Sequence, residues 1–118
     1  MNQVSLMGRM TKEPILRYHS SENPLAITRF TLAVDRGISK KRKESGEQSV
    51  DFINCVTFGN NAEFVERWFR KGMMVGIVGR LQVHSYDDAE GKRHWITEVI
   101  TDSHFFGGNK RGLDDESS

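Results

Sequence analysis

Large apolar residues in this chain recur at a period of two almost throughout, and at helical spacing only once. That pattern restricts the fold to strands with one buried face, interrupted by a single helix. Val4, Leu6, Gly8 and Met10 alternate with Gln3, Ser5, Met7 and Arg9. Phe30, Leu32 and Val34 alternate with Arg29, Thr31 and Ala33, and β-branched and aromatic residues dominate Val50–Phe58. Apolar residues then fall at Met73, Val75, Ile77, Leu81 and Val83 around Gly79, and β-formers recur from His94 to Thr101. The polar stretch Asp87–Lys92, with Gly91 inside it, predicts a hairpin turn between the last two runs.

The exception lies between Asn60 and Gly72. Asn60 or Asn61 can cap a helix whose Phe64, Val65, Trp68 and Phe69 share one face. Glu63–Arg67 and Glu66–Arg70 are favourably oriented i,i+4 pairs, and Gly72 is placed to end the helix. The expected order is three strands, a helix and two strands. This predicts an all-β fold: a five-stranded OB-fold Greek-key barrel with one short α-helix between strands 3 and 4. Such a barrel hosts many oligonucleotide binders, but fold alone does not give function.

A chain of 118 residues has room for one domain, read here as residues 1–106. No apolar run approaches the roughly 20 residues of a spanning helix, so no membrane partner is expected. Met1–Met10 already alternates and carries Arg9, unlike the apolar core of a signal peptide. Cys55 is the single cysteine, so no disulfide framework exists and a reducing cytoplasm is the expected compartment. Residues 107–118 hold one large apolar side chain, Leu113, and are expected to form a disordered tail. Residues 38–49 read as a long mobile hairpin loop.

Catalysis has no constellation to rest on. His19, His84, His94 and His104 lack metal-ligand spacing, Cys55 lacks a partner, and no glycine-rich phosphate loop is present. No enzyme, metal or cofactor is expected. Net charge is only +1, well short of a strongly basic nucleic-acid binder. Lys40, Lys41, Arg42 and Lys43 nevertheless form an unbroken basic run, either a solvated loop face or a cationic arm for phosphates. Phe52 and Phe58 share strand parity, with Asp51 and Asn54 as odd neighbours for core positions, and Tyr86 precedes a polar turn. Aromatics exposed on a sheet offer surfaces on which any base can stack.

In this order and spacing several short motifs become recognisable. They are Gly8-x-Met10-x-x-Glu13-Pro14-x-x-Arg17-Tyr18, Thr31-Leu32-Ala33, Val56-Thr57-Phe58-Gly59, Arg70-Lys71-Gly72, Val78-Gly79-Arg80-Leu81 and Thr97-Glu98-Val99. From Asn2 to about Phe106 the chain resembles the bacterial single-stranded DNA-binding protein (SSB) family. The resemblance implies a homotetramer that wraps single-stranded DNA, without sequence specificity, in replication, repair and recombination, and so a nucleoid-associated protein. It implies base stacking by Phe52, Phe58 and Tyr86, and phosphate contacts from Arg17, Arg70, Lys71 and Lys40 to Lys43.

There are departures. Ile38 stands where the best-known members carry a further stacking tryptophan, and Asn54, Asn60, Gln82 and His84 stand at positions basic in some members. The family's long linker and acidic tip, which recruits replication and repair proteins, are absent from this sequence. It therefore reads as either truncated or a naturally short member, such as a competence or phage paralogue. An RNA-binding or primosomal OB-fold module is the alternative.

Overall fold

The computed structural model describes residues 1–108. Six strands and two short helices follow one another as β1 (Val4–Met10), β2 (Ile15–His19), β3 (Leu25–Asp35), α1 (Lys40–Glu44), β4 (Val50–Phe58), α2 (Asn60–Trp68), β5 (Met74–Asp87) and β6 (Arg93–Phe106). They form one sheet in the order β1-β5-β6-β4-β3-β2, and β1 also pairs with β3 through Arg9 and Met10. The pairings of β1, β5, β6, β4 and β3 thus return to their start, with β2 attached outside that circuit. Of the segment read as a tail, Gly107 and Gly108 are described, and Gly107 N–H donates to the Met74 carbonyl at 2.8 Å. The remainder of that segment lies outside the described residues. No helix among the described residues is long and apolar enough to cross a membrane.

Two expectations need correcting here. The strand count is six, not five, because β2 was invisible: it lies on the edge of β3, largely exposed on both faces, and carries no alternation to read. There are two helices, not one. The polar segment after β3 contains α1, where the Ser39 hydroxyl accepts from the Arg42 N–H at 3.2 Å and starts one turn of good helix formers. A five-residue helix with no buried residue leaves no apolar period in the sequence.

The long strands cover the expected runs, and their inward residues build the core. Met10, Phe30, Leu32, Cys55, Val65, Phe69, Val75, Ile77 and Val99 form one buried cluster. Phe69 sits at its centre, with Phe30 edge-on at 6.0 Å, Phe64 at 6.1 Å and the His104 ring at 5.9 Å. Burial in this surround lowers the His104 pKa against a weaker pull from Asp102, so the ring accommodates neutral packing. Gly79 lies at a register shift between β5 and β6. A Cβ there would stand 2.0 Å from the Ile100 carbonyl oxygen, so the backbones can cross this closely only at glycine.

Helix α2 is the expected one, with different ends. Gly59, not an asparagine, is its N-cap, with φ of 66° and no side-chain cap bond. Its N–H is instead spent on the Ala26 carbonyl of β3 at 2.8 Å, which ties the turn to the sheet. The helix ends at Trp68, with Phe69 as its extended C-cap. Gly72 therefore falls three residues later, at φ of 90° in a turn closed by Met73 N–H to the Arg70 carbonyl. Trp68 is exposed rather than on the buried face, with the Arg67 guanidinium 5.5 Å from its ring centroid. Among the described residues neither predicted i,i+4 pair forms an ion pair.

Candidate nucleic-acid interface

Residues directly opposite in paired strands share a face. Across β2, β3 and β4 the register therefore stacks four rows on one surface: Arg17–Ile27–Phe58, Ile15–Arg29–Val56, Thr31–Asn54 and Ala33–Phe52. The Thr31 hydroxyl donates to the Asn54 Oδ1 at 3.2 Å, which fixes the amide. Phe52 is 67% exposed and lies open, whereas Phe58, at 39%, is partly covered.

A second wall comes from the β5–β6 hairpin. Gln82, His84 and Tyr86 stand opposite Glu98, Ile96 and His94. Because β6 also runs parallel to β4 with Cys55 beside Val99, Glu98 is placed next to Asn54 and the walls join. A depression of about 360 Å³ marks the junction, lined from both sides by Lys12, Ile15, Arg29, Asn54, His84 and Glu98. Phe52, Phe58, Arg17 and Tyr86 thus share one face, concave at the depression where the walls join, although none of the four lines that depression.

Tyr86, half exposed, is backed by a residue that sequence reasoning passed over. His94 stacks beneath it with ring centroids 5.2 Å apart and planes within 22°. The His94 Nε2 is 2.7 Å from the Asp88 Oδ2. That bond, with N–H donors from Lys92 and Glu90, holds the Asp88 carboxyl below its usual pKa, so it stays ionised. One ring face of Tyr86 is therefore occupied and the other free, in an orientation set before any ligand arrives. The missed signal was the turn itself: once Asp87 pairs with Arg93, Tyr86 and His94 must be cross-strand neighbours. Trp95, one residue on, pairs with Ser85 and faces the other way.

The basic run has a more definite form than a loop. Lys40, Lys41, Arg42 and Lys43 make up most of α1 at the tip of the β3–β4 hairpin, beyond the Phe52 end of the surface. The Arg42 guanidinium pairs with Glu47, which lowers the Glu47 pKa. Lys40, Lys41 and Lys43 are exposed without an ion-pair partner among the described residues. At the base of the arm, Arg36 grips Asp51 through two bonds of 3.0 and 2.7 Å, raising one pKa and lowering the other.

Arg70 and Lys71 line neither the concave surface nor its central depression. The Arg70 guanidinium donates to the Glu66 and Phe69 carbonyls at 2.6 and 2.7 Å, capping α2. Lys71 borders a separate depression with Arg9, Met73, Met74 and Phe106. Among the described residues no group of His, Cys, Asp and Glu is placed to hold a metal ion. Cys55 is buried, and burial first, then the Glu98 charge, pushes its thiol pKa up to about 12. Cys55 should accordingly resist a soluble alkylating reagent at pH 8 in the native protein and react in urea; rapid native labelling would contradict this burial.

The profile of the single-strand binding protein family matches residues 1–106, the whole sheet and both helices. The chain belongs to the single-strand binding protein family. Relatives include the single-stranded DNA-binding protein of Bacillus cereus, 43% identical over 118 residues, which cover 95% of this chain and 66% of that protein. The protein of the same name in Halalkalibacterium halodurans is 45% identical over 103 residues, covering 87% of this chain and 58% of its own. Single-stranded DNA-binding protein 2 of Listeria monocytogenes is also 45% identical, covering 87% and 61%. This family member thus spans about two thirds or less of the length of these relatives.

Proposed function

We infer that this SSB-family chain binds single-stranded DNA without strong sequence preference, by base stacking and phosphate neutralisation, and protects it in replication, repair and recombination. The observation that carries this reading is the shared face: Phe52 and Tyr86 are 67% and 50% exposed on one concave surface bordered by cations. Open aromatics there suit bases of any identity, and Arg17, Arg29, Lys12 and the α1 lysines suit the backbone between them. Residues 1–106 are the binding domain, and the closed circuit of five strands is read as the OB barrel, with β2 as an appended edge.

Assembly into homotetramers fits the apolar side chains left outside this surface. Leu81, Val83 and Trp95 are exposed on the opposite face of the β5–β6 hairpin. Met7 and Phe105 flank Gly76 in one row across β1, β5 and β6, both more than half exposed. Patches of this kind mark contact surfaces.

Replacing Lys40, Lys41, Arg42 and Lys43 by serine tests the phosphate half of the reading. Arg42 is already paired with Glu47, so about three contacts should be lost. With ~0.7 per contact on a single strand, the slope of log K against log salt should fall by about 2, for all sequences alike. Unchanged affinity and slope would make α1 a solvated hairpin tip with no ligand.

A further inference from the structure

Glu98 is anomalous on a surface meant for a polyanion. It is 9% exposed, lies where the two walls of the concave surface meet, and puts a carboxylate among Lys12, Arg29 and His84. Oε2 is 3.2 Å from the His84 Nε2, and among the described residues Oε1 has no hydrogen-bond partner. Lys12 and Arg29 at the rim can take backbone phosphates, but a phosphate against Glu98 itself would meet a like charge at short range in a partly desolvated setting. A group that donates hydrogen bonds would not.

The rest of the depression has the complementary features of a base pocket. Asn54 Oδ1 is engaged by Thr31, which leaves the amide N–H₂ as a donor beside Glu98. Ile15 and Ile96 supply apolar walls. The volume of about 360 Å³ falls in the range of small-ligand sites. A carboxylate with a neighbouring donor suits one base edge best. Guanine carries two adjacent donors, N1–H and the N2 amine, next to the O6 acceptor. Thymine sets carbonyl oxygens on both sides of its single N–H, and these would face the carboxylate.

We propose that this depression is a guanine-accepting subsite, in which Glu98 accepts from N1–H and N2–H and Asn54 donates to O6. It rests on the single-strand reading above and adds a modest base preference to it. His84 positions the carboxylate through its bond to Oε2. Most of the strand still stacks indifferently on Phe52, Phe58 and Tyr86, so the preference concerns one nucleotide at a time. Buried polar groups that are matched by one base and left unpaired by another discriminate in this way.

The test uses the full chain and oligothymidylates that are all dT or carry one central dG or one central deoxyinosine, which lacks the N2 amine. The dG oligomer should bind about tenfold tighter than all dT, with deoxyinosine between them. Glu98→Gln should collapse that ranking, with the dG advantage lost and the melting temperature near native. Asn54→Ala should reduce the dG advantage as well. If wild type binds all dT but ranks the three oligomers equally, the subsite is wrong and the single-strand reading stands. Equal loss of affinity for all three in Glu98→Gln would show a structural carboxylate, and also overturn the subsite. Failure of wild type to bind all dT would overturn both.

Discussion

Phe52→Ala and Tyr86→Ala should each weaken binding to poly-dT by about one to two orders of magnitude, with a near-native melting temperature. Base–aromatic stacking is worth roughly 1–3 kcal/mol per base by alanine substitution. Both rings are already in water in the free protein, at 67% and 50% exposure, so truncation removes little folding energy. Tyr86 carries a second consequence. Its rear face rests on His94, so His94→Ala should lower affinity less than Tyr86→Ala and should add nothing further when Tyr86 is already alanine. Unfolding by Phe52→Ala or Tyr86→Ala, or unaltered affinity, would remove that ring from the stacking surface. Isothermal unfolding and fluorescence titration on the same preparations distinguish these results.

Phe69→Ala should do the reverse. The ring is fully buried among Phe30, Phe64, His104 and Phe106 at about 6 Å, and its removal leaves a cavity that these neighbours cannot fill. The expected cost is ~3–5 kcal/mol, a large share of a small domain's stability, and a fall in melting temperature of at least about 15 °C. DNA affinity of whatever fraction remains folded should be close to wild type, because Phe69 lines no part of the concave surface. A melting temperature within a few degrees of wild type would mean that α2 does not close the core as described.

These substitutions show why the sequence was readable in some places and silent in others. Strand β4 was legible in part: Cys55 and Thr57 are buried while Phe52, Asn54 and Phe58 are exposed, a contrast written in residue type, but Val56 shares the parity of the exposed residues and is buried. Strand β2 was not legible, since an edge strand exposed on both faces has no reason to alternate. The ends of α2 were misplaced for a tertiary reason. Gly59 is the cap because its N–H reaches Ala26 across the sheet, a contact with no local signature. Strand parity put Phe52 and Phe58 on one face, and Tyr86 joined them only through its place before the polar turn and the family resemblance; none of this shows what stands behind or between them. His94 behind Tyr86 and Glu98 beside Asn54 depend on the β5–β6 register and on the parallel β4–β6 pairing, which join residues far apart in sequence. Arg70 and Lys71 stand apart from that surface. Their motif is local, but the direction of the turn after α2 is set by the packing of Phe69 and by Gly72 N–H bonding to the Met10 carbonyl.

The central claim is that an aromatic, cation-bordered surface holds a flexible strand whose bases are free to stack. Duplex DNA hides its base faces, so only its phosphates remain available to such a surface. The most direct measurement is displacement of a labelled dT oligomer by unlabelled poly-dT, duplex DNA and single-stranded RNA at low and high salt. The account predicts that poly-dT displaces the label at least about tenfold more effectively than duplex at both salt concentrations, because stacking survives screening while phosphate attraction fades. RNA displacing as well as poly-dT would favour the RNA-module alternative. Duplex competing equally, with all binding lost at high salt, would reduce the surface to a nonspecific cation patch and contradict the account.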